Sequence, residues 1–357
     1  MKKYLSFIVL FCLCSCQTLE QLSIDYMVPA DISFPPQIRN VAVVNNVSLT
    51  PENSVRIEED KINPDERTTR KVAYHQGNAS IATESLAQNL ADQNYFDAVI
   101  ICDSALRAKD HFPRESTLGL SEVNELAANL NADAIIALEN LELKEVSETF
   151  FIPELSGYIG TTDVKIHPTV RVYLPNRSYP LVSITANDSV FWEEHNRVAK
   201  VINTEQMIRE ASEFAGFIPI RHIIPTWTTE NRVYYINGSV DMRDAVVYVK
   251  ENNWPEAYEL WQRAFQSAKP KLQMRSAFNI ALYYEISDQM DESEIWIRKA
   301  MELAKIIDKV DENQNTIPSV DDIPNYYLCM VYLGKIQKRK QDQTKLNLQM
   351  QRFDADL

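Results

Sequence analysis

Ala132-Asp133-Ala134-Ile135-Ile136-Ala137-Leu138 carries one polar side chain near its start and none after it. A short continuous apolar run bounded by polar residues, here Asn131 and Glu139, reads as a strand buried on both faces. Two earlier runs have the same texture. Val41-Ala42-Val43-Val44 stops at Asn45 and Asn46, and Ala98-Val99-Ile100-Ile101-Cys102 follows a polar turn.

The intervals between these runs are helical. Residues 81–93 place Leu86 and Leu90 at i and i+4, with Ala82 and Ala87 on the same side. Ser121 can cap a helix to about residue 129, whose buried stripe is Val123, Leu126, Ala127 and Leu130. Strand, helix, strand, helix, strand with apolar strand cores specifies an α/β sheet covered by helices. Residues 50–71, with Pro51, Pro64 and dense charge, read as a surface loop.

Beyond Leu138 the pattern alternates. Residues 164–173 and 181–185 are antiparallel strand candidates joined by a turn at residues 175–178, and residues 188–192 continue the second. Asn203 with Gln206 forms a capping-box pattern opening a helix through Met207, Ile208, Ala211 and Phe214 that Gly216 would close. Residues 39–236 are therefore expected to be one α/β sheet domain with an added antiparallel hairpin. Residues 16–38, with Pro29, Pro35 and Pro36, read as a tether. Trp227, Arg232, Tyr234 and Tyr235 read as an aromatic junction packed between this domain and the next.

Residues 237–357 change character again. Sliding the segment against itself aligns Ala245 with Ala281, Tyr248 with Tyr284, Trp261 with Ile297 and Ala264 with Ala300, each 36 positions apart. Small residues at fixed places let paired helices approach closely, the logic of an all-α helical hairpin repeat. Residues 321–340 add a helix carrying Tyr326, Tyr327, Met330 and Val331. Leu346, Met350 and Phe353 mark a last one, and together they would close the exposed end of the array.

The N-terminus carries an address. Met1, Lys2 and Lys3 precede an apolar run of about ten residues, well short of the roughly 20 that span a bilayer. Leu13-Cys14-Ser15-Cys16 resembles the bacterial lipobox, which implies a signal peptide over residues 1–15 and lipid attachment at Cys16. Acylation would anchor the mature chain to the membrane. Removing Lys2 and Lys3 takes the formal charge from −14 to −16, and the chain shows no basic stripe for nucleic acid. The basic run at residues 335–340 reads as a solvated helix face. Of five cysteines, Cys102 and Cys329 remain in apolar contexts that suit free buried thiols.

The order ending in the 133–138 strand is similar to the N-terminal domain of the TolB family and to curli secretion lipoproteins over residues 38–150. Those relatives usually have a glycine where this chain has Asn131-Ala132. The C-terminal repeat resembles the tetratricopeptide repeat, with a period of 36 in place of 34 and Ser293 where the first repeat has Ala257. Groove positions carried over from that family are Met242 and Val246 in the first repeat, and Phe278 and Leu282 in the second. The family's carboxylate-clamp chemistry is missing there, so the groove takes an apolar partner segment or the chain's own last helices. As a whole the chain looks like an uncharacterised family of Bacteroides-type envelope lipoproteins.

Catalytic patterns do not emerge. Seven scattered glycines form no phosphate cradle, and there is neither a G-x-S-x-G elbow nor an H-E-x-x-H zinc pair. The five histidines are isolated, and Glu193-Glu194-His195 would alternate faces on a strand. The expectation is a non-enzymatic adaptor or scaffold without metal or cofactor. It would be lipid-anchored in the outer membrane, facing the periplasm or the cell surface, and would bind an envelope protein. The alternative is an envelope enzyme or carbohydrate-binding lipoprotein with a cleft between the α/β domain and the hairpin.

Overall fold

A computed structural model describes residues 18–48, 57–60, 69–102, 104–110, 117–155, 157–194, 202–310 and 324–354. The chain divides into two compact units: residues 29–226 with 345–357, and residues 1–28 with 227–344. The architecture is the expected one, an α/β sheet region with antiparallel additions and then an all-helical region. The segment read as a tether departs from expectation. Leu19–Val28 is a strand, β1, that belongs to the helical unit, and residues 29–38 are packed into the sheet unit, with Ala30, Ile32 and Phe34 buried.

In the sheet unit, β2 (Asn40–Asn45) is an inner strand, paired along both edges. The expected surface loop instead contains β3 (Ile57–Asp60) and the start of β4 (Thr69–Gln76), which pair antiparallel with each other. Helix α1 (Ala79–Asp92) is capped by Asn78, whose side chain accepts from Ile81 N–H. It leads to β5 (Ala98–Cys102), parallel to β2 with Val41 opposite Val99. Helix α2 (Leu120–Leu130) starts from Gly119, not Ser121; the Glu122 carboxylate accepts the Gly119 N–H at 2.8 Å.

The 132–138 run opens a far longer strand. β6 (Ala134–Ile152) pairs parallel with β2 through its first residues and antiparallel with β4 further on. On its other edge it runs antiparallel to β7 (Gly157–Tyr173), with a bulge between Leu138 and Asn140. Strands β8 (Val182–Ile184) and β9 (Asp188–Glu194) line the far edge of β7.

Alternate residues of the buried strands feed different faces. Val41, Val43 and Ile136 pack with α1, with α3 (Thr204–Phe217) and with α4 (Ile220–Ile223). Ala42, Val44, Ile135 and Ala137 pack under α2. Asn203 caps α3 as its pattern predicts, but Gly216 lies inside the helix rather than closing it. A Cβ there would come within 2.5 Å of Leu86 N and 2.6 Å of Ala82 O, so glycine permits the close approach of α3 to α1.

The helical unit begins with β1 paired to β10 (Thr226–Tyr235). Ser23 Oγ donates to Asn231 and Thr229 Oγ1 to Asp25, fixing an antiparallel register. Two helical hairpins follow: α5 (Val240–Lys250) with α6 (Trp254–Phe265), and α7 (Pro270–Ile286) with α8 (Met290–Ile307). They repeat at the expected offset of 36. The turn residues Asn252 and Asp288 share φ 56°, and Ala245, Ala281, Trp261, Ile297, Ala264 and Ala300 are all buried. The last helix is continuous, α9 (Pro324–Asp354).

Residues of α9 beyond 344 belong to the sheet unit. There Gln349 donates to the carbonyls of Ala30 and Ile32 and accepts from Ala30 N–H, and Arg352 lies 4.3 Å from the Tyr95 ring centre. Residues 29–38 are thus held by backbone bonds rather than left loose.

Candidate functional site

The four groove positions do not line an open groove. Met242, Phe278 and Leu282 are buried and Val246 is half-buried. Phe278 packs 4.9 Å from Tyr332 of α9 and 5.4 Å from Tyr235 of β10, ring centre to ring centre. The chain's own last helix packs against this face through Tyr332. A β-strand joins it, because Asn279 acts as a strand in miniature: its side-chain amide accepts from Tyr235 N–H at 2.8 Å and donates to Tyr235 C=O at 2.7 Å.

The residues read as an interdomain junction all lie on β10, in the helical unit. Trp227 is 66% exposed, while Arg232, Tyr234 and Tyr235 are buried. Arg232 grips Glu285, its Nη2 donating to Oε1 at 2.8 Å and its Nε to Oε2 at 3.0 Å. Glu285 is wholly buried and also accepts from Arg339 Nη1 at 2.9 Å and from Tyr332 OH at 2.7 Å. Around this core, Arg232 Nη1 donates to Glu230 at 2.6 Å, and the Tyr26 ring of β1 lies 4.1 Å from the Arg339 guanidinium. Burial and the neighbouring Glu285 push the Tyr332 hydroxyl well above its ordinary range. Burial raises the Glu230 carboxyl too, but Arg232 and Lys335 outweigh it and hold the group below its usual value.

This network unites β1, β10, α7 and α9 around one carboxylate, and two guanidiniums and a phenol occupy that carboxylate. Its work is to fix the strand pair and the last helix against the hairpins. The basic run at residues 335–340, read as a solvated face, takes part in it. Lys335 pairs with Glu230, Arg339 with Glu285 and Asp288, and Lys340 with Asp291 and Glu294.

The sheet unit has its own buried carboxylate at the β6 bulge. Glu139 accepts from Tyr173 OH, Arg171 Nη1 and Asn46 Nδ2. Burial raises its pKa in spite of these donors, and burial with the adjoining Glu139 lifts Tyr173 to about 12. Further along β6, Glu145 accepts from Ser147 Oγ at 2.7 Å and pairs with His75 Nε2 at 2.7 Å. Both groups address the glutamate rather than each other. The serine is therefore tied to a carboxylate, not placed against an imidazole base.

Two features stand out on the surface of the described residues. The first is a cleft of about 330 Å³ between α1 and β5, lined by Asn45, Thr83, Glu84, Ala87, Val99 and Ile101 among others, none of them from the hairpin strands. The second is the outer face of α9. Cys329, Tyr332, Leu333 and Ile336 turn inward, leaving Tyr327, Met330 and Val331 exposed by 39–45% at i, i+3 and i+4. Gly334 continues this stripe, and a Cβ built there meets nothing within 4 Å. The sequence signal was present, since two apolar stripes run along one helix and a single core can bury just one.

Cys16 and His195 lie outside the described residues. Cys102 and Cys329 are free thiols, the first half-buried and the second buried, with Cys329 pushed up to about 12 by desolvation. Among the described residues no group of His, Cys, Asp and Glu is arranged to hold a metal ion. No described helix is long and apolar enough to cross a membrane.

A family model described as a domain of unknown function (DUF8603) matches residues 38–235, and a second such domain (DUF6340) matches residues 243–338. Neither a curated protein nor a solved structure matches the chain.

Proposed function

The chain belongs to the DUF8603 family, and for it we propose a lipid-anchored, non-enzymatic adaptor of the bacterial cell envelope that holds a protein partner on the outer face of α9. One observation carries this reading: the exposed stripe Tyr327, Met330, Val331 and Gly334. Glycine in a helix interior costs roughly 1 kcal/mol relative to alanine. Packing within the chain does not explain that cost at residue 334, where an added Cβ is unopposed. Close approach by another polypeptide does, and the flanking methionine, valine and tyrosine give it an apolar footing.

The hairpins behave as a tetratricopeptide-like scaffold whose inner face is filled from within, so recruitment moves to the outside. The anchor is Cys16 in the outer membrane, with the fold facing the periplasm or the cell surface. Thr18 C=O already accepts from Ile236 N–H at 3.1 Å. Two residues span at most about 7 Å, so an acylated Cys16 would hold the helical unit against the bilayer with almost no slack.

The test is affinity capture of full-length protein from crosslinked membranes. A partner should be recovered with the native chain and lost with Met330→Glu, while the circular dichroism of the two proteins coincides. Equal recovery from both would exclude this face. Retention in the aqueous phase on detergent partition would exclude the anchor.

A further inference from the structure

Strand β5 ends the sheet on one side: Ala98–Cys102 pairs with β2, and no other described strand pairs with it. Natural sheets guard such an edge with charge, proline or a bulge, because its unpaired N–H and C=O groups template further pairing. Residues 98–102 contain no charge and no proline, and their register with β2 runs without a shift. The acid that precedes them, Asp97, is neutralised by Arg39 at 3.2 Å. Among the described residues, helix α1 leaves the outer margin of its sheet face uncovered. That margin is the 330 Å³ cleft, in which Ile101 is 38% exposed beside Ala87 and Ala91.

We propose that a second copy of this chain fills this position, its β5 pairing antiparallel with the first across a two-fold axis at Ile100. The strand's face pattern makes it self-complementary. Val99 lies on the α1 side, while Ile100 and Cys102 lie on the α2 side. A two-fold through Ile100 sets Val99 of each copy opposite Ile101 of the other, on the α1 face and directly over the cleft. Ile100 meets Ile100, and Ala98 meets Cys102 on the α2 face. Cross-strand β-branched pairs are favourable, and no like charges are brought together. The small Ala87 and Ala91 leave room for the second α1 beside the first. An isologous contact of this kind closes after two copies, so it would use up the unguarded edge without polymerising. This surface lies in the sheet unit and stands independently of the adaptor face on α9.

The experiment uses the full lipoprotein, in membrane vesicles and then in detergent. In a Cys102→Ser background, Ile100→Cys places two thiols across the axis, where paired Cα atoms sit about 4.5–5.5 Å apart, within disulfide reach. Mild oxidation should give a covalent dimer in vesicles, with Ser178→Cys, exposed in the turn between β7 and β8 and away from the proposed axis, as the negative control. Light scattering of the uncrosslinked native protein should give twice the chain mass. Ile101→Lys should return it to one chain mass with unchanged circular dichroism. A native protein that is monomeric by both readings overturns the proposal. So does a dimer that ignores Ile101→Lys and fails to crosslink at position 100, or a foreign polypeptide crosslinked at position 100. Should Ile101→Lys misfold, the position-100 crosslink still decides.

Discussion

Among the described residues, each unit buries one glutamate held by a tyrosine hydroxyl and a guanidinium, and the two are solved differently. Glu285 in the helical unit has no exposed surface and is matched by two arginines, Arg232 and Arg339, themselves nearly buried. Glu139 in the sheet unit has one arginine, Arg171, about a quarter exposed, and burial leaves its pKa raised. The helical unit places a fully compensated ionic centre where four elements also meet in one apolar cluster. The sheet unit already has continuous strand cores, and its carboxylate satisfies a bulge instead of organising a fold.

The contrast predicts unequal costs. Glu285→Ala leaves two guanidiniums buried without their anion, and losing one partner of a buried pair costs about 3–5 kcal/mol. Urea unfolding followed by tryptophan fluorescence reports it well, since Trp227, Trp254, Trp261 and Trp296 all lie in the helical unit. Glu139→Gln keeps an acceptor for Tyr173 and removes a charge that burial disfavours, so its cost should stay within about 1.5 kcal/mol, read at Trp192 of the sheet unit. Equal costs would erase the distinction.

Acid should separate the units by sign. Glu294 accepts hydrogen bonds from Arg298 and Lys340, which hold its carboxyl down at about 2 against an ordinary 4.5. A depressed carboxyl stabilises the fold above its unfolded pKa, and that contribution is lost as pH falls from about 4.5 toward 2. Glu139 is raised, so its protonated form is favoured in the fold, and its contribution declines as pH rises through its folded pKa. Melting across pH 2–6 should show Glu294→Gln flattening the acid limb of the helical unit. Glu139→Gln should remove a decline of opposite direction in the sheet unit. The smallest effect is Gly334→Ala, which should stabilise the helical unit by about 0.5–1 kcal/mol because nothing opposes the added methyl. A loss there would mean that α9 is not open on that side.

What was legible follows from the same contrast. Residues 41–44 and 134–138 announce themselves because strands buried on both faces must be apolar throughout; residues 98–102 share that texture, but β5 is an edge strand, half-buried and exposed at Ile101, so its apolar run does not mean double burial. The 36-residue repeat announces itself because close helix packing restricts the same positions twice. The long arms of β6 and β7 were hidden: Glu142, Lys144, Glu145, Ser147 and Glu148 give a half-exposed strand no apolar run to recognise. β1 was hidden for another reason. Its leucines pack on helices more than 200 residues away, and a tether and an edge strand look alike until that partner is known. The Arg232 site was half legible, as a cation among aromatics. The anion that defines it lies 53 residues downstream.

The central claim is that the repeat's inner face is closed by the chain itself and that recruitment occurs on the outer face of α9. A photo-crosslinking residue placed at Met330, and separately at Val246 on the half-buried inner face, tests it in intact membranes. The account predicts a specific adduct to another protein from position 330 and only intrachain products from position 246. An intermolecular adduct from 246 with none from 330 would contradict it.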